Sequence, residues 1–110
     1  CASLIALPPP WNLLSGNKYM AIRVAIIVQG VVQGVGFRWY VRRIAMRYRL
    51  TGYVKNLPDG DVYCEVEGEE GMINDFISEL KAGPPLSHVT NVIVNKLPDL
   101  VGYKSFEIRF

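Results

Sequence analysis

The sequence predicts an α+β fold in which two amphipathic helices cover one face of an antiparallel sheet. Strand-like and helix-like segments follow one another in the order β-α-β-β-α-β. Most of the predicted strands have one apolar and one polar face, as expected of an antiparallel sheet that is covered on one side. The 110-residue chain is long enough for one core and too short for two ordinary domains, so we expect a single domain.

The first strand and the first helix meet at a glycine-rich junction. The apolar, β-branched segment AIRVAIIVQG, residues 21–30, predicts a buried strand that ends at Gly30. The apolar residues then change to helical spacing, with an expected buried stripe of Phe37, Val41, Ile44, Ala45 and Tyr48. The intervening GVVQGVG, residues 30–36, therefore precedes a helix N-terminus directly.

A hairpin and a second helix are predicted next. The strand GYVKN is followed by the turn LPDG and by DVYCEVEG, which places Val62, Cys64 and Val66 on one face. Glu69 and Glu70 suit the positive N-terminus of a helix that Gly83 ends. The expected apolar face of this helix is Met72 or Ile73, with Phe76, Ile77 and Leu80.

Residues 89–97 predict a fourth strand, and the alternation of Phe106, Ile108 and Phe110 predicts a terminal strand or a continuation of the fourth. This order of elements, with both helices on one face, is the ferredoxin-like arrangement.

The first 19 residues do not fit this pattern. Their apolar run is short, and Pro8, Pro9 and Pro10 exclude regular structure. We predict that residues 1–19 are a disordered leader that is non-native or lies upstream of a natural start at Met20, and that residues 20–110 form the domain. A genuine short extension, or an N-terminal Cys1 prepared for lipidation, are the alternatives.

Composition narrows the class of protein. A formal net charge of +2 does not by itself indicate nucleic-acid binding. The two cysteines lack metal-ligand spacing, and no run of apolar residues is long enough to cross a membrane. We therefore expect a cytoplasmic protein, with Cys64 as a core residue.

The glycine-rich junction is suited to binding an anion. A helix N-terminus presents unpaired N–H groups, and glycines let a preceding loop turn its own N–H groups inward. Arg38, in the first helical turn, offers a planar guanidinium that matches two phosphate oxygens. The alternative is that the glycines only allow the chain to turn, because the spacing matches neither a P-loop nor a dinucleotide fingerprint.

Two longer motifs carry a resemblance to a known family. GVVQGVGFR, residues 30–38, resembles the first signature of the acylphosphatase family, and GYVKNLPDGDVYCEVEG, residues 52–68, resembles the second. The similarity covers about residues 21–110, so the domain at residues 20–110 is expected to be acylphosphatase-like.

This resemblance implies hydrolysis of acyl phosphates to a carboxylate and inorganic phosphate without a metal or other cofactor. It assigns the role of positioning the attacking water to Asn56, and a catalytic role to Arg38. It assigns phosphate binding to the arginine and to the loop amides, namely Val32, Gln33, Gly34, Val35, Gly36, Phe37 and Arg38.

Physical arguments agree with these roles. If Asn56 ends a central strand beside the first strand, its amide can approach the loop and orient a water. No strong base is required, because phosphoryl transfer depends mainly on positioning and charge stabilisation. His88, the only histidine, is therefore expected to be non-catalytic, whereas Trp39 adjoins Arg38 and is expected to flank the site. The acyl group is expected to project from a shallow site.

Two other functions compete with hydrolysis. A non-catalytic module that binds acyl or carbamoyl phosphate is the first, although the chain's length favours the enzyme. RNA binding is the second, through a basic helix face of Arg42, Arg43, Arg47 and Arg49. We favour a solvated face paired with the acidic residues of 59–79, and therefore no binding of nucleic acid. We also expect a monomer that does not bind membranes.

Overall fold

A computed structural model describes residues 21–110, so the predicted leader at residues 1–19 lies outside the described residues. Two helices and five strands follow the predicted order, with one further strand at the end. Their bounds are β1 Ala21–Val31, α1 Phe37–Arg47, β2 Thr51–Asn56, β3 Val62–Glu69, α2 Glu70–Ala82, β4 His88–Leu97 and β5 Phe106–Arg109.

The strands form one sheet in the order β4-β1-β3-β2-β5. Three of the four pairings are antiparallel, and β5 pairs with β2 in parallel. The ferredoxin-like α+β class is therefore confirmed, but the sheet is mixed rather than wholly antiparallel. Of the two alternatives for the chain end, a separate terminal strand is the correct one.

The expectation that β2 lies beside β1 is wrong. Val62 of β3 pairs with Val28 of β1 on one side and with Asn56 of β2 on the other, so β3 separates the two strands. β1 and β2 need not be neighbours because α1 connects them, and a helical crossover can pass over an intervening strand. A tight turn, such as the one between β2 and β3, joins strands that are neighbours. Asn56 therefore lies one strand further from the β1–α1 loop than the sequence analysis expects.

Both helices pack on one face of the sheet and enclose a single core. In α1 the predicted stripe is buried at Phe37, Val41, Ile44 and Ala45, whereas Tyr48 follows the helix and is half-buried. In α2 the buried residues are Ile73, Phe76 and Leu80, and Met72 is 40% exposed. Cys64 is buried in this core, as predicted.

The opposite face of the sheet is also covered, by the loop between β4 and β5. Glu67 of β3 accepts hydrogen bonds from the backbone N–H groups of Val101 and Gly102 in that loop. Glu65 accepts one from Tyr103 at 2.8 Å. Both glutamates are buried, and they hold the loop that leads into β5.

Candidate functional site

The loop between β1 and α1 has the conformation of an anion-binding nest. Gly34 and Gly36 have left-handed backbones, with φ of 76° and 75°. Alternation of such residues with ordinary ones turns successive N–H groups toward one concave side. Gly36 is the N-cap of α1, and within residues 21–110 no side chain caps this helix. The backbone N–H groups in the first turn of α1 therefore lack intrahelical acceptors, and they lie next to the inward-facing N–H groups of the loop.

This loop forms one wall of a cavity of about 200 Å³. Among the described residues that line the cavity, Arg38 is the one with a charge, so the lining is positively charged at this point. The helix dipole of α1 adds to that charge. The described residues that line the cavity are Val32, Gly34, Gly36, Phe37, Arg38, Trp39 and Asn56.

The structure thus brings together the two predicted catalytic residues and four further residues of the predicted loop set. Gln33 and Val35 are absent from this lining, and the side chain of Val35 packs against the core. Trp39 lines the cavity, as expected of a flanking residue.

The side chain of Gln33 has a role that the sequence analysis missed. Its amide nitrogen donates to the backbone carbonyls of Leu57 at 2.7 Å and Asp61 at 2.8 Å. Both acceptors belong to the turn that joins β2 to β3, directly after Asn56. Gln33 therefore fixes the glycine-rich loop to the turn that carries the second motif. A local pattern could not reveal this bond, because its partners are more than 20 residues away.

Asn56 ends β2 and is one of the residues that line the cavity. Its Oδ1 atom is buried, and among the described residues it has no hydrogen-bond partner. A buried amide oxygen without a partner costs free energy, so such atoms are uncommon in folded proteins. An unpartnered oxygen of this kind can accept a hydrogen bond from a small molecule such as water.

Arg38 is held by the end of β5, which the sequence analysis also did not foresee. Its Nη1 donates to the carbonyl oxygen of Arg109 at 3.3 Å. The guanidinium carbon lies 4.5 Å from the centre of the Phe110 ring, which is a cation–π distance. Arg109 in turn places its own guanidinium 3.8 Å from the ring centre of Tyr53. These contacts orient Arg38 from the side of β5.

The remaining candidate residues do not join this cavity. His88 starts β4 and is exposed. Burial raises the pKa of the Cys64 thiol, as expected for a core cysteine. In the basic helix face, Arg47 forms an ion pair with Glu79 at 3.0 Å, and Arg43 lies 5.7 Å from the ring centre of Tyr40. Of the predicted pairing between this face and the acidic residues of 59–79, the described residues show the ion pair of Arg47 with Glu79.

The described residues contain neither a cluster of metal-binding side chains nor a membrane-spanning helix. Across residues 21–110, no group of three or more histidine, cysteine, aspartate or glutamate side chains is arranged to hold a metal ion. No helix in the same part of the chain has the length and apolar character needed to cross a membrane.

Comparison with known proteins connects this geometry to a family. The sequence model of the family described as Acylphosphatase matches residues 24–108. An acylphosphatase from Archaeoglobus fulgidus is 48% identical over 89 residues, which cover 81% of this chain and 99% of that protein.

Solved structures agree with the sequence match. The crystal structure of an acylphosphatase from Bacillus subtilis superimposes with a TM-score of 0.79 at 40% identity, covering 81% of this chain and 99% of that one. Full-length HypF in its phosphate- and nucleotide-bound form contains a similar domain, with a TM-score of 0.73 at 39% identity. That match covers 82% of this chain and 12% of HypF.

Proposed function

This chain belongs to the acylphosphatase family, and we propose that it hydrolyses acyl phosphates with the β1–α1 loop, Arg38 and Asn56 as its machinery. One observation carries the assignment of residues. The loop with Arg38 and the residue Asn56, whose amide oxygen has no partner among the described residues, line a single cavity, although Asn56 comes from a separate part of the chain. Each of these groups suits a different part of the reaction.

The reaction exchanges one P–O bond for another. A water oxygen bonds to phosphorus while the bond between phosphorus and the acyl oxygen breaks, and the electron pair of that bond leaves on the carboxylate. The water releases its proton to solvent, so the products are a carboxylate and inorganic phosphate. The transition state is loose, and charge spreads over the phosphoryl oxygens.

The loop and Arg38 bind the phosphoryl group. Backbone N–H groups from Val32 to Phe37 donate to its oxygens, and the positive N-terminus of α1 stabilises their charge. Arg38 contributes a charged, two-pronged contact that strengthens as the phosphoryl oxygens gain charge. Its contacts with Arg109 and Phe110 support this role, because they restrict the guanidinium before substrate binds.

Asn56 orients the attacking water. Its Oδ1 accepts a hydrogen bond from the water, so that an oxygen lone pair faces phosphorus. The buried, unpartnered state of Oδ1 supports this assignment, because a water would satisfy it. No general base is needed, since a carboxylate leaves readily as a weak base, and we infer that hydrolysis proceeds without a metal or other cofactor.

Hydrolysis of benzoyl phosphate in the presence of a chelator tests this proposal. The intact protein should turn over the substrate, whereas Arg38→Ala and Asn56→Ala should lose most of this activity while circular dichroism shows an unchanged fold. Full activity in either variant contradicts the role of that residue. Activity that disappears with the chelator and returns with a metal ion contradicts the metal-independent mechanism.

A module that binds an acyl or carbamoyl phosphate without releasing it is the second candidate. The match to a domain that makes up 12% of HypF supports it, because a similar domain occurs there inside a much longer protein. Binding of phosphate without any turnover of benzoyl phosphate would favour this candidate over the enzyme. A cytoplasmic location, a monomeric state and the lack of nucleic-acid binding remain predictions.

A further inference from the structure

A second depression adjoins the phosphate cavity, between α1 and β5. It is an open groove of about 500 Å³. Trp39 lines both the groove and the phosphate cavity. The groove lining is Trp39, Arg42, Ser105, Phe106, Glu107, Ile108 and Phe110.

A second contact makes the two depressions continuous. Phe110 lines the groove, and its ring lies 4.5 Å from the guanidinium carbon of Arg38, which lines the phosphate cavity. The groove and the phosphate cavity therefore adjoin at Trp39 and at the contact between Arg38 and Phe110. A molecule whose phosphoryl group occupies the loop can extend from there along Trp39 and Phe110.

The exposed surface at this boundary is aromatic. Trp39 is 61% exposed and Phe110 is 92% exposed, so two large rings stand in water at the mouth of the site. Exposed aromatic rings gain free energy when an apolar group covers them. The carboxylate in the groove, Glu107, lies 3.7 Å from the guanidinium of Arg109, which reduces its repulsion of a ligand. The groove thus suits an apolar ligand better than its charged residues alone suggest.

We propose that this groove holds the acyl group of the substrate and favours aromatic and bulky apolar acyl phosphates over small ones, with Trp39 as the specificity-determining side chain. The proposal rests on the proposed function, since it assumes that a phosphoryl group occupies the adjoining loop. It departs from the sequence-based expectation that the acyl group projects from a shallow site. The acyl group lies against the Trp39 ring, and Phe110 contacts it from the side of β5.

The test compares two substrates that differ only in the acyl group, benzoyl phosphate and acetyl phosphate. The measured quantity is the ratio of their kcat/KM values, so a loss common to both substrates cancels. Trp39→Ala should lower the ratio about tenfold, the discrimination typical of a lost apolar contact. Trp39→Phe keeps a ring in the groove and should restore most of the ratio. Both variants should fold, because Trp39 is largely exposed.

Met46→Ala is the matched control. Met46 is another exposed apolar residue of α1, with 56% of its surface accessible, and it does not line the groove. This variant should leave the ratio and the activity unchanged. A control that lowers the ratio as much as Trp39→Ala would overturn the proposal.

Two further results overturn it while leaving the proposed function intact. The first is an unchanged ratio in Trp39→Ala, with the intact protein active on both substrates. The second is that the intact protein prefers succinyl phosphate to benzoyl phosphate and that Arg42→Ala abolishes this preference. Such a result would show that the groove selects an anionic acyl group through Arg42. An intact protein that hydrolyses none of these substrates contradicts the proposed function itself.

Discussion

The side-chain amide of Gln33 donates a hydrogen bond to the backbone carbonyl of Leu57 at 2.7 Å. This bond joins the β1–α1 loop to the residue directly after Asn56, although β3 lies between the strands from which the two segments extend. A second bond from the same nitrogen reaches the carbonyl of Asp61. The loop and the strand end therefore behave as one unit, and their spacing depends on Gln33.

Replacing Gln33 with leucine should weaken catalysis and stability together. The change removes both bonds, while each carbonyl keeps one backbone donor within the turn. The loss of two hydrogen bonds should cost about 1–3 kcal/mol of unfolding free energy. A displaced loop should lower kcat/KM by about ten- to a hundredfold. Urea denaturation and steady-state kinetics measure the two effects. Asn91→Ala, which removes an exposed bond to Gln29, is the control and should change neither. Unchanged kinetics in Gln33→Leu would show that the bond does not position the loop.

Arg38→Lys should be nearly as harmful as Arg38→Ala. An ammonium group cannot reproduce the planar fork of a guanidinium, so both variants lose the two-pronged contact with phosphate. The loss should be roughly 3–5 kcal/mol, or on the order of a hundred- to several-thousand-fold in rate. The check is kcat/KM for benzoyl phosphate, with Arg43→Lys on the exposed side of α1 as control. A lysine variant with near-normal turnover rules out the proposed geometry.

Asn56→Ala should lower kcat much more than it weakens inhibition by inorganic phosphate. The proposed partner of Oδ1 is the attacking water, so phosphate binding by the loop and Arg38 should survive. The measurements are kcat and the phosphate inhibition constant. Lys55→Ala, at the preceding position of β2, controls for general disturbance of the strand end. Equal losses in both quantities would reassign Asn56 to phosphate binding.

Glu65→Gln should destabilise the protein at neutral pH but not in acid. Burial alone raises the pKa of the Glu65 carboxyl, but hydrogen bonds from Tyr63, Tyr103, Tyr53 and Arg23 outweigh this effect and lower the pKa. A carboxyl whose pKa is lower in the folded protein stabilises it at pH values above the pKa of the unfolded chain, about 4.3. This stabilisation is lost as the pH falls through the pKa of the folded protein. We expect the variant to be about 2 kcal/mol less stable at pH 7, since it loses hydrogen bonds to a charged group.

Urea denaturation at several pH values measures this difference. The gap between the intact protein and Glu65→Gln should narrow as the pH falls below about 4, where the unfolded carboxyl becomes protonated. A gap that stays constant from pH 7 to pH 3 would mean that the charge of Glu65 does not contribute.

Much of the fold could be predicted because its signals are local. The change from alternating to helical spacing at Phe37, and the turn after Asn56, arise from contacts between residues close in sequence. The predicted loop and Arg38 likewise follow one another in a short segment, so both motifs could be recognised without tertiary information.

The parallel pairing of β5 with β2 could not be predicted, because nothing local distinguishes a new edge strand from a continued one. The burial of Glu65 and Glu67 could not be predicted either. Their alternating positions indicate an exposed face of the sheet, but a loop that is distant in sequence covers this face.

The sequence by itself determined the order of elements, the two motifs and the chemistry that their residues can perform. Only the tertiary structure decided that β3 separates β1 from β2, that Gln33 spans this gap, and that Phe110 lies against Arg38. The physical reason is the range of the interactions. Backbone sterics and side-chain periodicity act over a few residues, whereas strand order and these contacts depend on how the whole core packs.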